Sequence, residues 1–336
     1  MNGLYHTSEY IEFTKEYLDA LQSTIATYGL PWTAGETPFY GGYLRTELGF
    51  LGIRSAVDER RLKHLQSSLN SRQYETNIKS FYSAVPARVD WRKHALQNNH
   101  DEHNWVTPVK FQGVCASCVA FAVIATMEAS VRIHAQTPYD ADPTAFPLLS
   151  EGQLFFDGAE KACWLGWHRS EALRYTNQIG IIPSDLYPYE AYNQSFPFDR
   201  NNLPNLTVVK QWHRINSIVC MKEWLGTRGP VYAELSCFGD FLLYREGVYS
   251  HVLRDDFDED SIPHAVCVIG YDDEKKVVRV YENGTIKTYS GAWLCKNSFG
   301  PQWGEDGYCW IGYSECGINS DMWGIERFEM INGVSG

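Results

Sequence analysis

Three residues far apart in the chain carry side chains that together could break an amide bond: Cys118 in QGVCASCVAFAV, His264 in SIPHAVCVIGY and Asn297 in WLCKNSFGPQWGEDGY. Cys118 stands where a Gln-Gly turn gives way to an apolar run reaching 135, which is expected to coil as a helix. At a helix N-terminus the positive end of the dipole and the unpaired N–H groups favour a thiolate, and a thiolate is a nucleophile. His264 opens an apolar strand, so one ring face can pack while its nitrogens stay accessible. Asn297 precedes a Gly-Pro turn. Singly, each has a plainer reading, as a packed thiol, a structural histidine and a turn former. The C-x-x-C spacing of Cys115 and Cys118 lacks both the second pair of a metal site and the βαβ context of a redox motif.

The elements that would position these residues are partly legible. Residues 9–28 are expected to form a helix on Ile11, Leu18, Leu21 and Ile25, capped by Thr7 or Ser8. A turn-rich aromatic stretch, LPWTAGETPFYGGYLRTELGFLG, follows. A charged helix is expected at 58–69 and a polar linker at about 70–85. Beyond it, 118–135 and the region 150–178 read as helical. After Gly229 the runs PVYAELS, HAVCVIGYD, KVVRVYE, AWLCKNS and GYCWIGY read as strands. The fold class is therefore α+β, a helical half and an antiparallel β half with a cleft between them.

With 336 residues, 44% hydrophobic and 21% charged, the chain is long enough to bury a substantial core. Its net charge of −12 argues against a nucleic-acid or anionic-membrane partner. No run is apolar enough to span a bilayer, and Glu9, Glu12 and Glu16 lie where a secretory leader would be apolar. Sequence alone therefore points to the cytoplasm, unless a leader has been removed. Nine cysteines leave at least one thiol unpaired in the monomer. Neither a cofactor nor a metal is implied.

Cys, His and Asn in this order, with VDWR at 89–92, TPVKFQGVCASC at 107–118, LLSEGQL at 148–154, YPYE at 187–190, PHAVCVIGYD at 263–272 and CKNSFGPQWGEDGY at 295–308, resemble the papain-like cysteine proteases over nearly the whole length. The stretches 229–251 and 316–325 look most like the cathepsin B branch. The resemblance implies a papain-like two-domain fold over 86–336, with a mainly helical half at 86–210 and a β-barrel half at 211–336. It also implies a shortened inhibitory prodomain and linker at 1–85, where Gly35 and Phe39 fit the family pattern but Thr37 and Gly41 depart from it. The first long helix of such a prodomain is largely missing.

The resemblance further implies the parts each residue plays. Cys118 is the nucleophile, His264 its imidazolium partner, Asn297 the group that orients the imidazole, and Gln112 an oxyanion donor. Trp303 would shield the Asn–His hydrogen bond, and Cys115 would be disulfide-bonded to Cys163. Substrate would meet Trp164, Leu165, Gly166, Glu234, Pro263, Ala265 and Trp303. Departures concentrate around the cleft: Ala116 and Val119 beside the nucleophile, Phe299 in place of a tryptophan, Trp164 and Leu165 in place of Asn-Gly, and Pro263 before the histidine. Glu234 could pair with a basic substrate side chain or simply face solvent. The leftover thiols suit a reducing interior, whereas the family is commonly lysosomal, vacuolar or extracellular.

The expected activity is hydrolysis of peptide or related amide bonds through a thioester, by an enzyme made as a precursor that its own N-terminal segment inhibits. Two alternatives share the fold. One is an acyl or amide transferase that passes the thioester to an amine, and the other is a binding protein without catalysis.

Overall fold

The structure, a computed structural model, describes residues 10–45, 85–96, 101–159, 163, 166–192, 194–252, 261–281, 283–320 and 322–331. The helix expected at 58–69, almost all of the linker at 70–85, and Trp164 and Leu165 lie outside the described residues.

In chain order the strands are β1 (Tyr10–Glu12), β2 (Trp32–Ala34), β3 (Tyr43–Arg45), β4 (Arg88–Asp90), β5 (Leu206–Ile215), β6 (Val231–Cys237), β7 (Tyr244–Tyr249), β8 (Ile262–Val280), β9 (Ile286–Lys296), β10 (Tyr308–Gly312) and β11 (Met322–Ile331). The helices are α1 (Lys15–Tyr28), α2 (Cys118–His134), α3 (Arg169–Gln178) and α4 (Ile218–Thr227), with a one-turn helix at Gly239–Leu242. The region expected to be helical over 150–178 resolves into a π-helical turn, Gln153–Gly158, and α3.

The first helix begins later than its apolar spacing suggests. Residues 10–12 are drawn into β1 by pairing with β3, and α1 starts at Lys15 under Thr14, whose Oγ1 accepts from Tyr17 N at 3.2 Å. Thr14 has the extended backbone a cap needs and is the N-cap of this helix, while Thr7 and Ser8 lie outside the described residues. At the other end Gly29 takes a left-handed conformation (φ 61°) that stops the helix. Leu18, Leu21 and Ile25 are buried as expected.

The β half is a nine-stranded sheet in the order β2-β7-β10-β9-β8-β6-β11-β5, with β4 also paired to β8. Two expectations are corrected here. Among the described residues the sheet path runs from β2 to β5 without closing into a barrel. Nor is it wholly antiparallel, because β10 and β7 run parallel, Trp310 beside Val248. β8 and β9 form the long hairpin read from DDEKKVVRVYENGTIKTYS, with Val280 opposite Ile286 at its tip. The sheet takes in strands from both sides of the boundary expected near 210, since β5 crosses it.

α2 is mostly apolar and buried along nearly its whole length, with Thr126, Glu128, Ser130 and Arg132 as buried polar exceptions, as befits a helix between two layers. It packs in one core with Leu154, Trp167, Leu173, Ile182 and Val209. A second core lies behind the sheet and includes Trp224, Val268, Trp293 and Ile311, together with Leu21, Ile25 and Trp32 of the N-terminal segment. Among the described residues no helix is long and apolar enough to cross a membrane.

Candidate active site

Cys118 is the first residue of α2, and the residue before it does not cap the helix: Ser117 turns its hydroxyl to Tyr189 OH at 2.7 Å. The first-turn N–H groups of Cys118 and Val119 therefore act on the thiol and draw its pKa down. Burial opposes them and dominates. It pushes the thiol well above the ordinary cysteine range, against the Ala265 N–H donated to Sγ at 3.3 Å, while the nearby Glu234 charge adds to the rise.

His264, at the third residue of β8, is completely buried, and its Nε2 meets Asn297 Oδ1 at 2.7 Å. That oxygen also accepts the Ser298 N–H at 2.8 Å, so Asn297 is fixed before it touches the ring. An oxygen facing Nε2 makes that nitrogen the proton-bearing one and directs Nδ1 to the other side of the imidazole. Ala265, next to His264, supplies the N–H on the sulfur, which ties the mouth of β8 to the start of α2.

Gln112 is held on three sides. Its N–H donates to Ser298 O at 2.9 Å, its Oε1 accepts from Ser298 Oγ at 2.6 Å, and its Nε2 donates to Cys115 O at 2.9 Å. One hydrogen of the Nε2 amide is thus engaged, and the amide has a second. Cys115 is disulfide-bonded to Cys163, the pairing the family resemblance implies; the other seven cysteines are buried thiols outside any disulfide.

The ring lying on His264 is Phe299, stacked at 4.7 Å and 21°. Trp303 sits behind it, edge-on to Phe299 at 5.2 Å, with Nε1 donating to Leu242 O. In the sequence Phe299 shows only as a departure from the family pattern, and its place one residue after Ser298 is the available signal. On its far side Phe299 meets Phe39 of the N-terminal segment at 4.9 Å. That segment is bound to the β half: β2 adds antiparallel to β7, Trp32 packs on Tyr249, and Thr37 Oγ1 donates to Leu242 O at 2.8 Å.

Of the residues expected to meet substrate, Ala265 is at the thiol, Pro263 lies opposite Ser236, and Gly166 has a left-handed backbone (φ 61°). Glu234 faces Ala265 across the β6–β8 ladder, and its Oε2 accepts from Arg169 Nη1 at 2.8 Å. Arg169 carried no signal in the sequence.

Beneath the site runs a buried polar chain. Lys296, immediately before Asn297, donates to Thr107 Oγ1 at 3.0 Å, and Thr107 donates to Glu128 Oε2 at 2.5 Å. Glu128 Oε1 accepts from Leu149 N at 2.8 Å and Lys110 Nζ at 3.1 Å, and Lys110 reaches Glu151 at 2.5 Å.

A thiol at a helix N-terminus and an amide-anchored imidazole, set between a helical layer and a sheet, define a cysteine-dependent acyl-transfer fold. Residues 85–325 match the family described as papain family cysteine protease. Pro-cathepsin H of Bos taurus is 30% identical over 273 residues, covering 78% of this chain and 71% of that protein. Pro-cathepsin H of Mus musculus is 30% identical over 243 residues, 69% of this chain and 62% of that one. Digestive procathepsin L 3 of the Tenebrio molitor larval midgut superposes with a TM-score of 0.67 at 20% identity, covering 93% of this chain and 88% of that one. The chain belongs to the papain family of cysteine proteases, and its activity is that of a cysteine-type peptidase.

Proposed function

We propose that His264 takes the thiol proton as Cys118 attacks the peptide carbonyl and passes it to the leaving amine, releasing the first product and leaving a thioester on Sγ. Water, deprotonated by the same imidazole, then hydrolyses that thioester. Asn297 orients the ring, and the second Nε2 hydrogen of Gln112 with the Cys118 N–H stabilises the oxyanion. The observation that carries this reading is the 2.7 Å contact of His264 Nε2 with Asn297 Oδ1, which commits Nδ1 to the side away from the amide.

The catalytic unit is residues 86–336, and residues 1–85 form a tethered inhibitor. Support for the inhibitor comes from the contacts of Trp32, Thr37 and Phe39 with the β half. The substrates are peptides or proteins.

The test is turnover of a peptide amide by substituted chains. Cys118→Ala is expected to abolish cleavage in a folded chain. Asn297→Ala removes orientation and not the nucleophile, so it should lose about ten- to a hundredfold in kcat, the worth of one or two strong hydrogen bonds. A Cys118→Ala chain that kept most of its activity would refute the assignment.

A further inference from the structure

A serine just before a helix ordinarily turns its hydroxyl to the N–H groups of the first turn. Ser117, just before α2, makes no such bond, and its Oγ lies 2.7 Å from Tyr189 OH. Tyr189 OH in turn donates to Gln112 O at 2.7 Å. A carbonyl can only accept, so the phenol proton goes to Gln112 O and the serine proton to the phenol oxygen. The other acceptor near the serine, Cys115 O at 3.3 Å, is already served by Gln112 Nε2 and by Ser117 N. Burial pushes the phenol above its ordinary range, so it stays a donor. The ring is fixed by Phe121, edge-on at 4.7 Å, and by Phe156, stacked at 5.9 Å. The segment that carries it also presses on the Gln112 loop: Gly113 has φ 62°, and a Cβ there would come within 2.5 Å of Ala191 Cβ. One hydroxyl thus holds both Gln112, whose amide faces the site, and Ser117, whose peptide bond carries the Cys118 N–H.

We propose that Tyr189 is a positioning residue for acyl transfer: it locks the Gln112 loop and, by keeping the Ser117 hydroxyl occupied, reserves the first-turn N–H groups of α2 for the reacting sulfur and oxygen. This rests on Gln112 and the Cys118 N–H being the oxyanion donors. A freed Ser117 hydroxyl returns to the cap and accepts from the Val119 N–H, one of the first-turn groups that act on the sulfur. The serine oxygen then competes with the thiolate for a donor. An alanine at 117 has no oxygen with which to compete, so the harm done by losing the phenol hydroxyl depends on the serine being there.

The test is turnover of a peptide amide by full chains, with kcat separated from KM and folding checked by circular dichroism. Tyr189→Phe is expected to lose about tenfold in kcat, the worth of one strong hydrogen bond, at little change in KM. Its Cys118 should also need a higher pH for iodoacetamide labelling, because the sulfur has lost a donor. Adding Ser117→Ala to Tyr189→Phe should bring kcat back up by about threefold and return the labelling curve towards the native one. A folded Tyr189→Phe chain with native kcat overturns the proposal, and so does a double variant no faster than Tyr189→Phe alone. Ser117→Ala by itself keeps the phenol on Gln112 O and should lose about threefold in kcat at unchanged KM. That measurement decides the matter if Tyr189→Phe does not fold, native kcat in Ser117→Ala being the contrary result. Gln112→Ala tests the reading underneath and should lose about a hundredfold or more in kcat. If it keeps native kcat, the oxyanion assignment fails and the proposal with it.

Discussion

At Cys118 the local chemistry pulls two ways, and burial prevails over the helix N-terminus and the Ala265 N–H. Burial therefore favours the protonated thiol. A folded-state pKa raised above the ordinary value of about 8.5 means that this advantage is intact below that pH and shrinks as pH rises past it. Iodoacetamide labelling of Cys118 in the full chain is expected to be slow at neutral pH and to accelerate above about pH 9, as rising pH ionises the thiol. Labelling at neutral pH as fast as that of an unstructured cysteine peptide would contradict it. Phe299 is stacked on the buried imidazole, so Phe299→Ala, by opening that face to water, should lower kcat by about tenfold or more and reduce stability by about 3–5 kcal/mol. An unchanged kcat with a lowered denaturation midpoint would leave Phe299 a packing residue only. Cys118, His264, Asn297 and Gln112 could be found in the sequence because the chemistry demands those residue types in recognisable local contexts. Phe299 and Arg169 could not, because what they do depends on His264 and Glu234, which are near them only after folding.

At the level of elements, the site is held by how α2 is joined to β9. Burial works against ionising Glu128, but Lys110, Lys296 and the hydrogen bonds from Thr107 and Leu149 outweigh it and hold the carboxyl below the usual range. Burial, the largest cause, raises Glu151; the Glu128 charge adds to the rise, and the pull of Lys110 does not overcome it. The two acids therefore have opposite signs. Glu128 stabilises the fold above about pH 4.3 and loses that contribution as pH falls through its lowered value, while Glu151 contributes below about pH 4.3 and loses it as pH rises. Glu128→Gln should cost about 3–5 kcal/mol at neutral pH, because it leaves the buried Lys296 and the half-buried Lys110 undercompensated. The gap between native and variant urea midpoints should narrow as pH falls below about 4. A constant gap would assign the loss to packing. The sequence revealed α2 and the β8–β9 hairpin because their patterns are long and locally regular. It did not reveal β2, three residues that become a strand only by pairing with β7, nor the start of α1, where pairing of β1 with β3 overrides the apolar spacing.

Across the whole molecule, the N-terminal segment and the β half share one core. Trp32 is buried between Tyr244 and Tyr249, and Phe39 completes a row of rings that leads through Phe299 to His264. A tethered segment acts at an effective concentration on the order of millimolar, so modest contacts suffice to hold it in place. Trp32→Ala removes the largest of them, worth about 3–5 kcal/mol for a buried indole, and should raise the peptidase activity of the full chain. Equal activity before and after that change would make residues 1–85 a structural cap without inhibitory effect. The assignment of Cys118 as the nucleophile of a peptidase is tested most directly by acid-quenching the chain during steady turnover of a peptide ester and locating the acyl group by mass spectrometry. The expected result is one acyl group, as a thioester on Cys118 and on none of the other six free cysteines. Continued cleavage with no acyl group on Cys118, or with the acyl group on another residue, would contradict it.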